Sequence, residues 1–122
     1  MQAEALPEHM DLTFKELADM YKDHKKIFDS FNTIKRFNAA LNYFEPINNL
    51  SVKDIMPYHI QNCVDGMLIN GLASSSIKTY TGVVKTCFNH AIDQYKIISI
   101  NPVTNIRGYR ILGKLAAVLN IS

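Results

Sequence analysis

Tryptophan is absent from the 122 residues, and there are only 2 cysteines, 4 prolines and 5 glycines. Two cysteines form one disulfide at most, which excludes the small disulfide scaffolds of secreted proteins. So little proline and glycine excludes collagen-like repeats and low-complexity chains. Charge is sparse too, at 20% Asp, Glu, Lys and Arg against 48% hydrophobic residues, which excludes a highly charged disordered tail. No stretch approaches the roughly 18 uninterrupted apolar residues of a membrane span; the densest, Leu115 to Leu119, is little more than one helical turn. Met1 to Met10 carries no apolar signal segment, so a cytoplasmic protein is expected. What is left is one soluble domain, long enough to hide roughly two-thirds of the surface its unfolded chain exposes.

The net charge is only +2, but it is unevenly spread. Residues 1–21 set Lys15 against Glu4, Glu8, Asp11, Glu16 and Asp19, a balance of −4. Residues 22–36 set Lys22, Lys25, Lys26, Lys35 and Arg36 against Asp23 and Asp29, or +3. Residues 37–65 return to −2, and from 66 onward Lys78, Lys85, Lys96, Arg107, Arg110 and Lys114 face only Asp93, or +5. Two separated basic regions can therefore converge on one anionic surface, although solvated helix faces produce the same asymmetry.

Helical periodicity dominates. Thr13 and Glu16 form a capping box ahead of Phe14, Leu17, Ala18 and Tyr21, with Lys22, Lys25 and Lys26 suited to the negative end of that helix. Ser30 or Asn32 is expected to cap a second helix with the stripe Ile34, Phe37, Leu41 and Phe44, stopped by Pro46. Leu50 to Ile55 reads as a short turn, and Pro57 opens a third helix lined by Ile60, Cys63, Val64, Met67 and Leu68, closed by Gly71. Ser74, Ser75 and Ser76 offer caps for a fourth helix. Its core face is Ile77, Tyr80, Val84, Cys87, Phe88, Ala91 and Tyr95, and its polar face is Lys78, Thr81, Lys85 and Asn89. Asn101 and Pro102 break that pattern, and Leu115 to Ile121 is compatible with a short terminal helix. Four amphipathic helices on short connections predict an all-α bundle.

Catalytic signatures are missing: there is no Gly-x-Ser-x-Gly elbow, no phosphate-binding glycine loop and no His-Glu-x-x-His helix. His59 with Cys63, and Cys87 with His90, have spacings that place each pair on one helix face and could assemble zinc. Both cysteines, however, fall inside apolar stripes where a small hydrophobe belongs, so neither metal nor cofactor is expected. Ser74, Ser75 and Ser76 at a helix start can donate to phosphate, and Lys78 and Lys85, two turns apart, can continue a phosphate track.

The order of these features resembles the core-binding domain of phage-type integrases, the tyrosine recombinases. The resemblance rests on Thr13 to Tyr21, on Asn32, Thr33 and Ile34, on Leu50 to Ile55 before Ile60, and on Gly71-Leu72-Ala73-Ser74-Ser75-Ser76-Ile77 followed by Phe88, Ala91, Ile92, Ile97 and Asn101-Pro102. It covers residues 12–106, leaving 1–11 as an N-terminal extension and 107–122 as a tail. It implies a SAM-like orthogonal bundle of four helices that covers one face of the double-stranded recombination core site while a separate catalytic domain closes on the other. The implied DNA-facing residues are Asn32, Thr33, Lys35 and Arg36 on the second helix and Ser74, Ser75, Ser76, Lys78, Thr79 and Lys85 on the fourth. Lysines would set affinity through phosphates, and Thr33, Arg36, Ser76 and Thr79 would make groove contacts. Other integrase protomers are the further implied partners.

The chain departs from the family in its chemistry. Recombinases of this kind cleave DNA with a tyrosine supported by basic residues and a His-x-x-Arg motif. Here His9, His24, His59 and His90 are followed three residues on by Leu12, Ile27, Asn62 and Asp93. A non-catalytic domain is therefore expected, as an excised fragment, the product of a truncated gene, or a domain whose terminal helix packs on itself or a neighbour. The rival readings are a helical protein-interaction module that docks through Ile111 to Ile121, and a helix-turn-helix regulator with its turn at Gly71 to Ser74.

Overall fold

In the computed structural model, which describes residues 11–25, 31–104 and 106, Thr13 starts the first helix as its spacing predicts. Its backbone N–H donates to Glu16 Oε1 at 2.9 Å, and Glu16 N–H donates back to Thr13 Oγ1 at 3.2 Å. The reciprocal bonds satisfy two donors that a helix start leaves orphaned. Helix α1 (Phe14–Lys25) is followed by α2 (Phe31–Tyr43), two single 3-10 turns (Glu45–Ile47 and Val52–Asp54), α3 (Pro57–Ile69) and α4 (Ser74–His90). Among the described residues there is no strand; an isolated antiparallel bridge joins Thr13 to Ser51. The fold is all-α.

The stripes read from periodicity form the core. Phe14, Leu17, Ala18 and Tyr21 of α1 are buried, as are Ile60, Cys63, Val64 and Met67 of α3, and Phe37 of α2 with Phe44 just beyond it, while Ile34, Leu41 and Leu68 of the expected stripes are only half-buried and Ala40, outside them, is buried. Helix α4 makes contact with all three other helices, and its Ile77, Val84, Cys87 and Phe88 are fully enclosed. The Phe14 and Phe88 rings meet at 5.1 Å with a 31° tilt, joining α1 to α4. Each such side chain contributes about 1.5–3 kcal/mol through removal from water. The turn after α2 is stitched to the start of α1: Phe14 N–H donates to Leu50 O and Lys15 N–H to Asn48 O, both at 3.1 Å, while Val52 N–H donates to Leu12 O at 2.8 Å. Those bonds also occupy the N-terminal donors of α1.

Helix α3 ends as its glycine indicates. Gly71 has φ +85, and Leu72 N–H donates to Met67 O and Gly71 N–H to Leu68 O, both at 3.0 Å, a Schellman closure. Three other expectations are corrected. Helix α2 begins at Phe31, so Asn32 lies inside the first turn rather than capping it; Ser30 lies outside the described residues. Thr81 is buried, not part of the polar face, and its Oγ1 has no hydrogen-bond partner among the described residues. Helix α4 does not run to Asn101. It widens into a π turn over Ala91–Tyr95 and stops at Lys96, whose φ of 56 is left-handed. A lysine gives no such signal in a sequence, since glycine is the usual residue there. The segment after it folds back: Asn101 Nδ2 donates to Lys85 O at 3.0 Å and to Asn89 Oδ1 at 2.9 Å. The tail 107–122, with its expected short helix, lies outside the described residues.

Lys96→Gly removes the steric cost of a side chain in the left-handed region and is expected to raise stability by about 1 kcal/mol in chemical denaturation. Lys96→Val, β-branched at the same position, is expected to lower it.

Candidate nucleic-acid interface

Helices α2 and α4 contain no aspartate or glutamate. Among the described residues the exposed acids are Asp11, Glu16, Asp19 and Asp23 before and within α1, Glu45 and Asp54 in the turns that follow α2, and Asp93 in the π turn that continues α4. Among the described residues the ion pairs are Lys15–Asp19 at 3.6 Å and Lys53–Asp11 at 3.2 Å. Lys35, Arg36, Lys78 and Lys85 are all exposed and enter neither pair. Their charge is therefore uncompensated by the helices that carry them.

Where α2 packs against α4, a groove of about 400 Å3 opens to solvent, lined by Asn32, Lys35, Arg36, Ala39, Ser75, Ser76, Thr79 and Tyr80. On α2 these residues recur at helical spacing along one face, and on α4 they occupy the first two turns. Six residues proposed from sequence, Asn32, Lys35, Arg36, Ser75, Ser76 and Thr79, thus come from two distant segments to one place. The other four stand apart from the groove. Thr33 is half-buried on the neighbouring side of α2, and Ser74 is the exposed first residue of α4. Lys78 and Lys85 lie two turns apart on the outward flank of α4. Of the basic stretch 22–36, Lys35 and Arg36 line the groove. The Lys22 ammonium lies 5.6 Å above the Phe37 ring, which gives it a structural role. The Lys25 side chain and Lys26 lie outside the described residues.

The start of α4 corrects the expectation that the serines cap it. Ala73 is the N-cap residue and Ser74, Ser75 and Ser76 are the first three helical residues, with no side-chain cap. A helix start without a cap keeps its N–H donors and its positive dipole end available to an outside anion. The Thr79 hydroxyl donates to Ser75 O at 3.0 Å, so this side chain offers a ligand its oxygen lone pairs and its methyl group. Gly82 lies on the exposed side of α4 between Lys78 and Lys85, and a Cβ there would meet no atom within 4 Å. A mid-helix glycine costs about 1 kcal/mol relative to alanine, and nothing among the described residues requires it. Sequence reasoning missed Tyr80 as a groove residue because its spacing matches the core stripe; Ala39 and Gly82 carry no polar signal at all.

The cysteine–histidine pairs are occupied otherwise. His59 Nδ1 accepts from Met56 N–H at 2.8 Å, capping α3. Burial pushes the Cys87 thiol up to about 12, and burial with the nearby Glu45 carboxylate pushes the Cys63 thiol up to about 11, from an ordinary 9.0. Neutral, enclosed thiols are poor ligands and poor nucleophiles. Among the described residues no group of three or more His, Cys, Asp or Glu side chains is placed to share a metal ion, and no helix is long and apolar enough to cross a membrane. The chain matches no protein-family model, no curated protein and no solved structure, so its function is read from its own residues.

Two outcomes follow from this geometry. Because both thiols hold their protons more tightly when folded, stability is independent of them below pH 9 and falls as the pH rises from 9 through 11 and 12. By pH 10 the loss is about 1 kcal/mol per thiol, measured by denaturation, and is reduced in Cys87→Ala. Ala73→Asp supplies the missing cap and is expected to add about 1 kcal/mol.

Proposed function

We propose that this chain is the DNA-binding core-binding domain of a phage-type integrase, a tyrosine site-specific recombinase, with a SAM-like arrangement of its four helices. It contacts the double-stranded recombination core site through the α2–α4 face and contributes no catalytic group. The observation that supports this most strongly is the convergence of Asn32, Lys35, Arg36, Ser75, Ser76 and Thr79 on one groove between two acid-free helices. Duplex DNA is a dense line of negative charge, and unpaired cations beside exposed hydroxyl and amide groups match it. Lys35 and Arg36 from one helix and Lys78 and Lys85 from the other engage phosphates. Ser76 and Thr79, which line the groove, are the candidates for base-edge contact, with Thr79 confined to its methyl and lone pairs. The bond-breaking chemistry of such recombinases is supplied by a separate catalytic domain, and other protomers of the integrase sit on the same DNA. The cytoplasm, where that DNA resides, is the proposed location.

The test is a salt titration of binding to a short mixed-sequence duplex, followed by fluorescence anisotropy. Lys78→Ala combined with Lys85→Ala is expected to lower affinity at every salt concentration and to reduce the slope of log K against log [salt] by about 1.8, two phosphate contacts at about 0.9 each. An unchanged slope overturns the assignment of these lysines, and an absence of duplex binding by the unaltered chain overturns the reading as a whole.

A further inference from the structure

The α2–α4 groove has an aromatic wall that phosphate binding does not use. Tyr80 lines it together with Lys35, Arg36 and Asn32. The Tyr80 ring is stacked on Tyr43, with centroids 5.1 Å apart and planes inclined by 26°. Tyr43 stands one turn of α2 beyond Ala39 and is 39% exposed. Tyr43 backs one face of the Tyr80 ring, and the side chain is held between helices rather than free to turn. Of the pair, Tyr43 is exposed and Tyr80 is half-buried at the margin of the core.

The shape of the site separates two modes of DNA contact. The bases of an intact duplex are stacked on one another, so a concave site meets the duplex only at its phosphates and groove edges. An unpaired base presents its π face, which an aromatic ring accepts with little regard to base identity. The volume of about 400 Å3 lies within the range of about 300–1,000 Å3 typical of small-ligand clefts. Cations for a phosphate, an amide at Asn32 for a base edge and a ring for a base face are the three elements that nucleotide recognition combines.

We propose that this groove binds an unpaired nucleotide of single-stranded DNA, with its base stacked on Tyr80 and its phosphate held by Lys35 and Arg36. The inference rests on the DNA-binding reading above and adds to it a second form of the ligand. An integrase domain with such a site holds a strand that has left the duplex as well as the duplex itself.

Anisotropy titrations with labelled oligo(dT) and with the mixed-sequence duplex test it, using the unaltered chain, Tyr80→Leu and Tyr80→Phe. Tyr80→Leu keeps apolar bulk but has no ring, and is expected to weaken oligo(dT) binding roughly tenfold while leaving duplex binding within about twofold. Tyr80→Phe is expected to retain oligo(dT) affinity. Should Tyr80→Leu lower the melting temperature, Tyr43→Leu, which removes the backing ring, provides the second variant, with oligo(dT) binding again lost selectively. Duplex binding with no oligo(dT) binding, or oligo(dT) binding indifferent to Tyr80 and Tyr43, overturns this inference and leaves the duplex reading intact. Equal losses for both probes also overturn it, because Tyr80 would then act on the fold or on phosphate contacts. Failure to bind either probe overturns both.

Discussion

The constraint on which the rest of the structure depends is that α1, α2 and α3 all bury their apolar faces against α4. The free surface of α4 is the side that carries the exposed Ser75, Lys78, Thr79, Gly82, Lys85, Thr86 and Asn89, together with the flank that meets α2. Whatever this helix recognises must be recognised there. Phe14 against Phe88, and the backbone bonds from the 48–52 segment to the start of α1, hold α1 in fixed register with α4. The start of α1 is thereby closed to ligands, whereas the start of α4 carries no cap.

The cations divide by role. Lys15 and Lys53 pair with carboxylates, and Lys22 lies over a ring, so these belong to the architecture. Lys35, Arg36, Lys78 and Lys85 have no such partner among the described residues and stand on the two helices without acids. The same surface is where α4 forgoes stability. Ala73 occupies a position that a serine or aspartate would cap, and Gly82 sits mid-helix with no steric reason among the described residues. Both departures from local helix rules lie on the face proposed to meet DNA.

Much of the fold is legible in the sequence because apolar spacing and capping chemistry are local. Thr13 with Glu16, Pro57 and Gly71 mark three boundaries that the structure reproduces. The end of α4 is not legible, since Lys96 is left-handed through a π turn that no residue type announces. Thr81 is misleading in the sequence because a threonine at helical spacing between Lys78 and Lys85 reads as polar surface, whereas the structure buries it. The candidate site was legible only in part. Polar residues at two helix starts are visible in a sequence, but their meeting depends on the α2–α4 crossing, which sequence spacing does not specify. That crossing gathers Asn32 with Ser75 and leaves Thr33 aside, and it makes Tyr80, which still packs against the core, a wall of the groove as well.

Amide chemical-shift mapping by NMR during titration with duplex DNA tests the division of surfaces most directly. Shifts concentrated at Asn32 to Ala39 and Ser74 to Lys85, with α1 and α3 unmoved, are the predicted result. Shifts centred on α1 or α3, with the starts of α2 and α4 unchanged, would contradict it.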